Sequence, residues 1–334
     1  MEPVRWGILG TGAIAKQMAA AIGAVPEAEL AAVGSRTLEK AREFAREAAE
    51  RAGASEAACR PYGSYEELAA NGDLDVVYVA TPHPMHAENS LLCLENGKAV
   101  LCEKPFALNA AQARQIVAKA RERGLFLMEA MWTRFFPIMV KLREILAEGS
   151  IGAVKVVAAD FGFRADFDPE SRLFDPALGG GALLDVGVYC VSLASMVLGP
   201  PNRVAATATL APTGVDETSA YLLSHASGAI AALYSSVRAQ TPWEADVLGE
   251  SGSIRVHSPF WKPSKLTLSR SGFSDEAMEM PYEGNGYQFQ VEEVCRCIRS
   301  GLFESPVMPL DETMEIMETL DAIREQIDVK YPGE

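Results

Sequence analysis

Over its first 130 residues the chain alternates short apolar runs with stretches of helical periodicity, and this alternation restricts the fold more than any other feature. Val4–Leu9 is an apolar run closed by Gly10, after which Ile14, Met18 and Ile22 recur at helical spacing as far as Gly23. Leu30–Val33 reads as a second strand. Leu38, Ala41, Phe44, Ala45 and Ala48 mark the buried stripe of a helix that ends at Gly53. Ser64, with Glu67 three residues on, forms a capping-box pattern for a short helix. Val76–Ala80 and Ala99–Cys102 are nearly uninterrupted apolar strands, as expected where helices cover both faces of a sheet. Asn109 and Gln112 open a helix that stops at Gly124, and Leu125–Met128 closes the series. Strands alternating with helices imply right-handed crossovers and a parallel, doubly wound sheet.

From about Pro137 the texture changes. A helical stretch (Ile138, Leu142, Ile145, Leu146) ends at Gly149. Extended runs follow at 154–160, 204–210, 218–224, 229–237, 245–248, 253–257 and 266–269, with turn signals at Thr213-Gly214 and Ser227-Gly228. Short connections favour an antiparallel or mixed sheet. Helices are expected over Gly181–Leu198, Tyr287–Arg299 and Asp311–Ile327. At 334 residues the chain exceeds one ordinary domain. The expected division is 1–130, an α/β dinucleotide-binding domain, and 131–334, an α+β domain with a large open sheet. Helices on one face of such a sheet leave the other to be covered, and a second copy of the chain is the natural candidate.

Apolar residues make up 49% and charged residues 22%, the composition of a packed globular protein. The net charge of −15 repels phosphate backbones and anionic lipid, which argues against nucleic acid and membrane partners. The opening residues lack the basic and apolar runs of a secretory leader, and no run of apolar residues reaches the unbroken length of a membrane span. The six cysteines are scattered with no CxxC pair, so neither a metal site nor a disulfide framework is expected. A cytoplasmic protein with reduced thiols is the corresponding expectation.

Gly10-Thr11-Gly12-Ala13-Ile14-Ala15 reads G-x-G-x-x-A between a strand and a helix. Gly10 permits the tight turn, Gly12 lets the backbone approach a pyrophosphate, and Ala15 keeps the helix close to the sheet. The free N–H groups of the helix N-terminus, from Thr11 to Ile14, then hold the negative charge. An NAD site usually places Asp or Glu at the end of the second strand; here stand Ser35, Arg36 and Thr37. A guanidinium flanked by two hydroxyls suits a 2′-phosphate, so NADP is favoured, with NAD as the alternative. Thr81, His83 and His86 follow the fourth strand, and Glu103-Lys104-Pro105 the fifth, at the strand ends that face the ligand in an open parallel sheet.

Several segments together carry a resemblance. WGILGTGAIA, ATPHPMHAENSLLCLENGKAVLCEKPFALN and GGGALLDVGVYC resemble the glucose-fructose oxidoreductase / inositol dehydrogenase / rhizopine-catabolism (Gfo/Idh/MocA) family. MEAMWTRFFP, HSPFWKPSKLTL and ESPVMPL are similar to its dimeric dihydrodiol dehydrogenase and NADP-dependent D-xylose dehydrogenase branch. The resemblance implies a Rossmann domain followed by a domain with a mostly antiparallel sheet used for dimerisation. It also implies that Lys104, Asp185 and Tyr189 are catalytic, with Asp185 and Tyr189 facing the nicotinamide. An i,i+4 pair lies on one helix face, so both polar tips can reach one cleft. In that reading Tyr189 exchanges a proton with the reacting oxygen, Lys104 supports it electrostatically and Asp185 orients the cluster.

Trp132, Arg134, Phe161, Tyr189 and Trp261 are the substrate candidates, with Phe163 and Tyr287 as further wall residues. Arg134 is read as a hydroxyl anchor. The implied activity is hydride transfer between NADP and a sugar, polyol or trans-dihydrodiol, of the aldose 1-dehydrogenase or dihydrodiol dehydrogenase type. Two readings stand beside it: a noncatalytic NADP(H)-sensing protein and an NAD-dependent inositol-type dehydrogenase.

Overall fold

The computed structural model describes residues 2–52 and 59–334, which form two compact units. The first comprises Met1–Ala107, Ala111–Trp132 and Glu283–Leu310. In chain order it contains β1 (Val4–Leu9), α1 (Ala13–Gly23), β2 (Ala28–Gly34), α2 (Leu38–Ala52), β3 (Arg60–Tyr62), α3 (Tyr65–Ala69), β4 (Val76–Val79), α4 (His86–Glu95), β5 (Ala99–Cys102), α5 (Ala110–Arg123) and β6 (Leu127–Glu129). The expected end of α2 at Gly53 lies outside the described residues. The strands form one sheet of order β3-β2-β1-β4-β5-β6, parallel at every pairing, as the alternation implies. Every residue of β4 and β5 is buried, because helices cover both faces. Ser64 caps α3 by accepting from Glu67 N at 3.1 Å, while the Glu67 carboxylate reaches back to Gly63 N at 3.1 Å.

The change of texture predicts that everything after residue 130 belongs to the second domain. In the structure the chain returns to the first unit with α8 (Gln288–Arg299), which packs on α1 and β2. Asn285 Nδ2 donates to Gln17 O at 2.8 Å, and Leu127 N bonds Phe303 O at 3.0 Å along the open side of β6. These contacts join segments far apart in the chain, which local periodicity does not announce.

The second unit comprises Leu108–Ala110, Thr133–Tyr282 and Asp311–Glu334. It opens with α6 (Pro137–Ala147), where Pro137 stands in the first turn. β7 (Val154–Gly162) leads to a helical segment ending in α7 (Val188–Leu198). Then come β8 (Pro201–Leu210), β9 (Asp216–His225), β10 (Ile230–Ser236), β11 (Ala245–Gly249), β12 (Gly252–Val256), β13 (Lys265–Arg270) and β14 (Glu276–Glu279), and α9 (Leu310–Ile327) ends the unit. The sheet order is β14-β13-β12-β11-β7-β10-β9-β8; only β7 and β10 run parallel.

The helix expected over Gly181–Leu198 is present and opens with a π-helical turn, Leu183–Gly187, that leads into α7. One helical stretch, Pro176–Leu198, has the length and mean hydropathy (1.8) of a membrane span. Since 83% of its apolar window is buried inside the structure, it is the core helix of this unit, and an all-round apolar composition follows from that position.

Candidate active site

In the first unit the strand order reverses at β1 and β4, and the sequence motif lies at that switch point. Gly10 has φ +110°, and a Cβ there would stand 2.7 Å from Ala80 O, so only glycine allows the turn. Gly12 begins α1 in extended conformation; a Cβ on it would meet nothing within 4 Å. No side chain caps α1 and no acid stands in its first turn. Thr11, Gly12, Ala13 and Ile14 are accessible, while Ala15 is fully buried against the sheet. Open space above uncapped N–H groups, with no competing carboxylate, fits a pyrophosphate.

At the end of β2, Ser35 is buried with its hydroxyl 3.4 Å from Thr11 Oγ1, whereas Arg36 and Thr37 are exposed. Thr37 Oγ1 accepts from Lys40 N at 3.4 Å and so helps start α2. Tyr65, which no motif marks, lies near Arg36: burial raises its phenol pKa and the guanidinium opposes that rise.

Beyond β4 and β5 the loops are tied together by buried groups. His86 is completely buried, with Nδ1 2.8 Å from Pro105 O and Nε2 2.8 Å from Thr81 O. Burial depresses its pKa, with those two carbonyls opposing. His86 therefore fastens the two loops and offers no nitrogen to a ligand, which corrects its expected place among the cofactor contacts. Thr81 Oγ1 accepts from Asn89 Nδ2 at 3.1 Å, and half-exposed His83 stacks edge-on to His86. Glu103 is buried; its carboxylate accepts from Tyr78 OH and, at 3.1 Å, from Lys104 N. Glu103 thus braces the backbone at Lys104, a support invisible without the Tyr78 pairing. Trp132 stacks on Tyr287 with ring centroids 4.1 Å apart and planes 6° apart.

In the second unit Asp185 lies on the π-helical turn and Tyr189 in the first turn of α7, both nearly buried. Arg172, unanticipated from sequence, reaches Asp185 Oδ1 at 2.9 Å from an exposed position. Phe161, at the end of β7, places its ring 5.4 Å from that of Tyr189 and stacks on Trp261 at 3.5 Å with planes 8° apart. Trp243 and Phe260 meet Trp261 edge-on. Trp243 has φ +68° and is held by Asp160 Oδ2 accepting from its N at 2.7 Å; no local signal marks it. Thr133 Oγ1 donates to Trp261 O at 2.8 Å, while Phe163 is half-buried, its backbone N on Ser236 O.

Arg134 is corrected. It is 2% exposed, and its Nη1 and Nη2 donate to the two Glu312 oxygens at 2.7 Å each. Its Nε donates to Ser192 Oγ at 3.0 Å and Nη2 also to Ser192 O at 2.8 Å. A guanidinium so committed is a buried structural cation. The pairing holds the Glu312 carboxyl below its usual pKa against the opposing effect of burial. Among the described residues no group of three or more His, Cys, Asp or Glu is placed to hold a metal ion, and the six cysteines are buried free thiols.

A six-stranded parallel sheet with this glycine turn at its switch point, joined to a mixed-sheet unit, defines a dinucleotide-dependent oxidoreductase. Residues 4–131 match the oxidoreductase family with NAD-binding Rossmann fold, and residues 139–255 match the GFO/IDH/MocA C-terminal domain. Trans-1,2-dihydrobenzene-1,2-diol dehydrogenases from Mus musculus and Homo sapiens are 39% and 38% identical over 338 residues, 98% of this chain and 98% of each relative. A 3-ketoreductase from Actinomadura kijaniata, solved with NADP and TDP-benzene, superposes with a TM-score of 0.84 at 28% identity, covering 98% of both chains. Aldose-aldose oxidoreductase from Caulobacter crescentus, complexed with glycerol, gives 0.85 at 26% identity, again over 98% of both. The chain belongs to the Gfo/Idh/MocA family, and it is an NAD(P)-dependent oxidoreductase.

Proposed function

We propose that the enzyme is an NADP-dependent dehydrogenase of CH–OH groups whose substrate is a trans-dihydrodiol. The observation that carries this reading is the aromatic cluster at Tyr189: Phe161 beside it, stacked flat on Trp261. Such a wall suits a planar, largely apolar ring that carries its hydroxyls at one edge. Identity of 38–39% to dihydrodiol dehydrogenases over the full length supports it. Aldoses and polyols are the second reading, favoured by the polar Arg172–Asp185 pair and by the aldose-aldose oxidoreductase neighbour. Arg36 and Ser35 at the end of β2, where no acid stands, support NADP over NAD.

Gly10, Gly12 and the first turn of α1 would hold the pyrophosphate, with Arg36 on the 2′-phosphate. When bound, the nicotinamide supplies the hydride acceptor or donor. Tyr189 Oη exchanges the proton of the substrate hydroxyl, and the Lys104 ammonium gives the reaction electrostatic support. Glu103 and His86 hold the loop that presents Lys104, and Arg172 holds Asp185.

A homodimer completes the proposal. One sheet face of the second unit exposes Leu222 (54%) on β9, Ile230 (45%) and Tyr234 (40%) on β10, and Leu248 (37%) on β11, beyond β7. An apolar patch of this kind is the natural seat of a second copy. The test of function is a coenzyme-coupled screen of trans-dihydrodiols, aldoses and polyols with NADP and NAD. Turnover with kcat/KM highest for a dihydrodiol is expected; tight NADPH binding with no turnover across the panel would favour a sensor instead.

A further inference from the structure

We propose that Asp216, at the start of β9, is a positioning residue for the reaction: it forms the buried polar floor on which the turn carrying Asp185 and leading to Tyr189 rests. The inference rests on the reading of Tyr189 as the proton-transfer group.

Asp216 is fully buried. Its Oδ2 accepts from Leu183 N, the first residue of the π-helical turn, at 2.8 Å, and from Ser219 Oγ at 2.8 Å. Oδ1 has no hydrogen-bond partner among the described residues and faces Gly181, where a Cβ would stand only 2.4 Å away. Tyr331 OH donates to Gly180 O at 2.7 Å and lies 3.4 Å from the same missing Cβ. The far end of the turn is built alike. A Cβ on Gly187 would fall 2.3 Å from Tyr221 Oη, which donates to Ser235 Oγ at 3.0 Å; Ser235 Oγ in turn lies 3.1 Å from Ser219 Oγ.

Two glycines thus bracket the turn, and each lets the backbone lie directly on one connected set of buried polar groups. An apolar floor would fill the space but leave the Leu183 amide without this acceptor. A buried carboxyl is a costly way to pack a core, and what it adds here is a defined height and direction for the turn. π-helical turns recur at functional sites, where they re-aim side chains. Asp185 and Tyr189 follow Leu183 by two and six residues, so displacement of the Leu183 amide is felt at both.

The groups facing Asp216 are Tyr221 on its own strand, Tyr331 near the C-terminus and Arg324 on α9, with Cys190 of α7 close to Tyr221. Burial raises the Asp216 pKa to about 7, opposed by the Ser219 and Leu183 hydrogen bonds and by the Arg324 charge. The folded chain then binds a proton that the unfolded chain, at the ordinary carboxyl value of 3.8, releases. The stabilising contribution of this group is therefore full at low pH and is lost as pH rises from about 4 through about 7.

The test uses the full chain with NADP and a trans-dihydrodiol, comparing Asp216→Ala, Asp216→Asn and wild type. Asp216→Ala is expected to lower kcat about tenfold to a hundredfold, as a slight misplacement of a reacting group does, with NADPH affinity unchanged. Asp216→Asn keeps an oxygen for Leu183 N and is expected to restore most of the lost turnover. It should also lack this group's share of the decline in melting temperature that wild type shows between pH 5 and pH 8. If Asp216→Ala does not fold, Gly187→Ala replaces it: reduced kcat is expected, with recovery when Tyr221→Phe removes the opposing oxygen. Wild-type kcat in Asp216→Ala, or in Gly187→Ala, would overturn the inference. So would kcat and NADPH affinity falling together without rescue by Asn. A Tyr189→Phe variant run alongside separates the failures. If it turns over normally, the catalytic reading falls; if it is inactive while Asp216→Ala is not, the positioning role alone falls.

Discussion

Arg36 shows what a single residue type can announce by itself. Its guanidinium is exposed at the end of β2 beside the buried Ser35 hydroxyl, where an NAD site would usually carry an acid. Arg36→Ala should weaken NADP binding about tenfold to a hundredfold, the loss of one or two charge-assisted hydrogen bonds, and leave NAD nearly unchanged. Coenzyme titrations check this; equal losses for both would remove the NADP preference. Arg134 shows the opposite limit. A buried arginine must be paired, but its partner Glu312 lies 178 residues away, so pairing with a substrate and pairing within the protein look alike from the sequence. Asp216, Trp243 and Arg172 were invisible for the same reason: their roles come from partners that the fold, not the local pattern, brings beside them. His86 was visible as a site residue, but not as a buried strap between two carbonyls.

At the level of elements the parallel sheet was legible because strands buried on both faces have a distinctive apolar texture, as at Val76–Val79 and Ala99–Cys102. The edge strand β14, with three of its four residues exposed, has no such texture and was not anticipated. The π-helical turn reads as ordinary helix because its composition, Leu-Leu-Asp-Val-Gly, differs little from one; the Asp216 carboxylate that accepts from its first amide lies far off in the chain. The two glycines at the start of α1 separate fold from ligand. Gly10→Ala forces a Cβ against the Ala80 carbonyl at positive φ and should cost about 1–3 kcal/mol of stability. Gly12→Ala places its methyl in open space, so the melting temperature should hold while NADPH affinity falls by more than about tenfold. Thermal melts and fluorescence titration of both variants check this. Unchanged affinity in Gly12→Ala would mean that the space is not used by the cofactor.

For the whole molecule, the division into a parallel-sheet unit and a mixed-sheet unit was readable from the change of texture near Pro137, but the return of α8 to the first unit was not. The exposed face of the second sheet predicts self-association. Leu222→Asp combined with Ile230→Asp should convert a dimer to a monomer in light scattering, with the parallel-sheet unit still binding NADPH; a wild-type monomer would contradict the proposed interface. The central proposal is that Lys104 and Tyr189 are both catalytic. The direct measurement is a double-mutant cycle in kcat for dihydrodiol oxidation. Lys104→Ala and Tyr189→Phe should each lower kcat by about 10²–10⁴, and the double variant should fall little further, since residues acting as a unit are not additive. Wild-type turnover in Tyr189→Phe, or losses that multiply in the double variant, would contradict it.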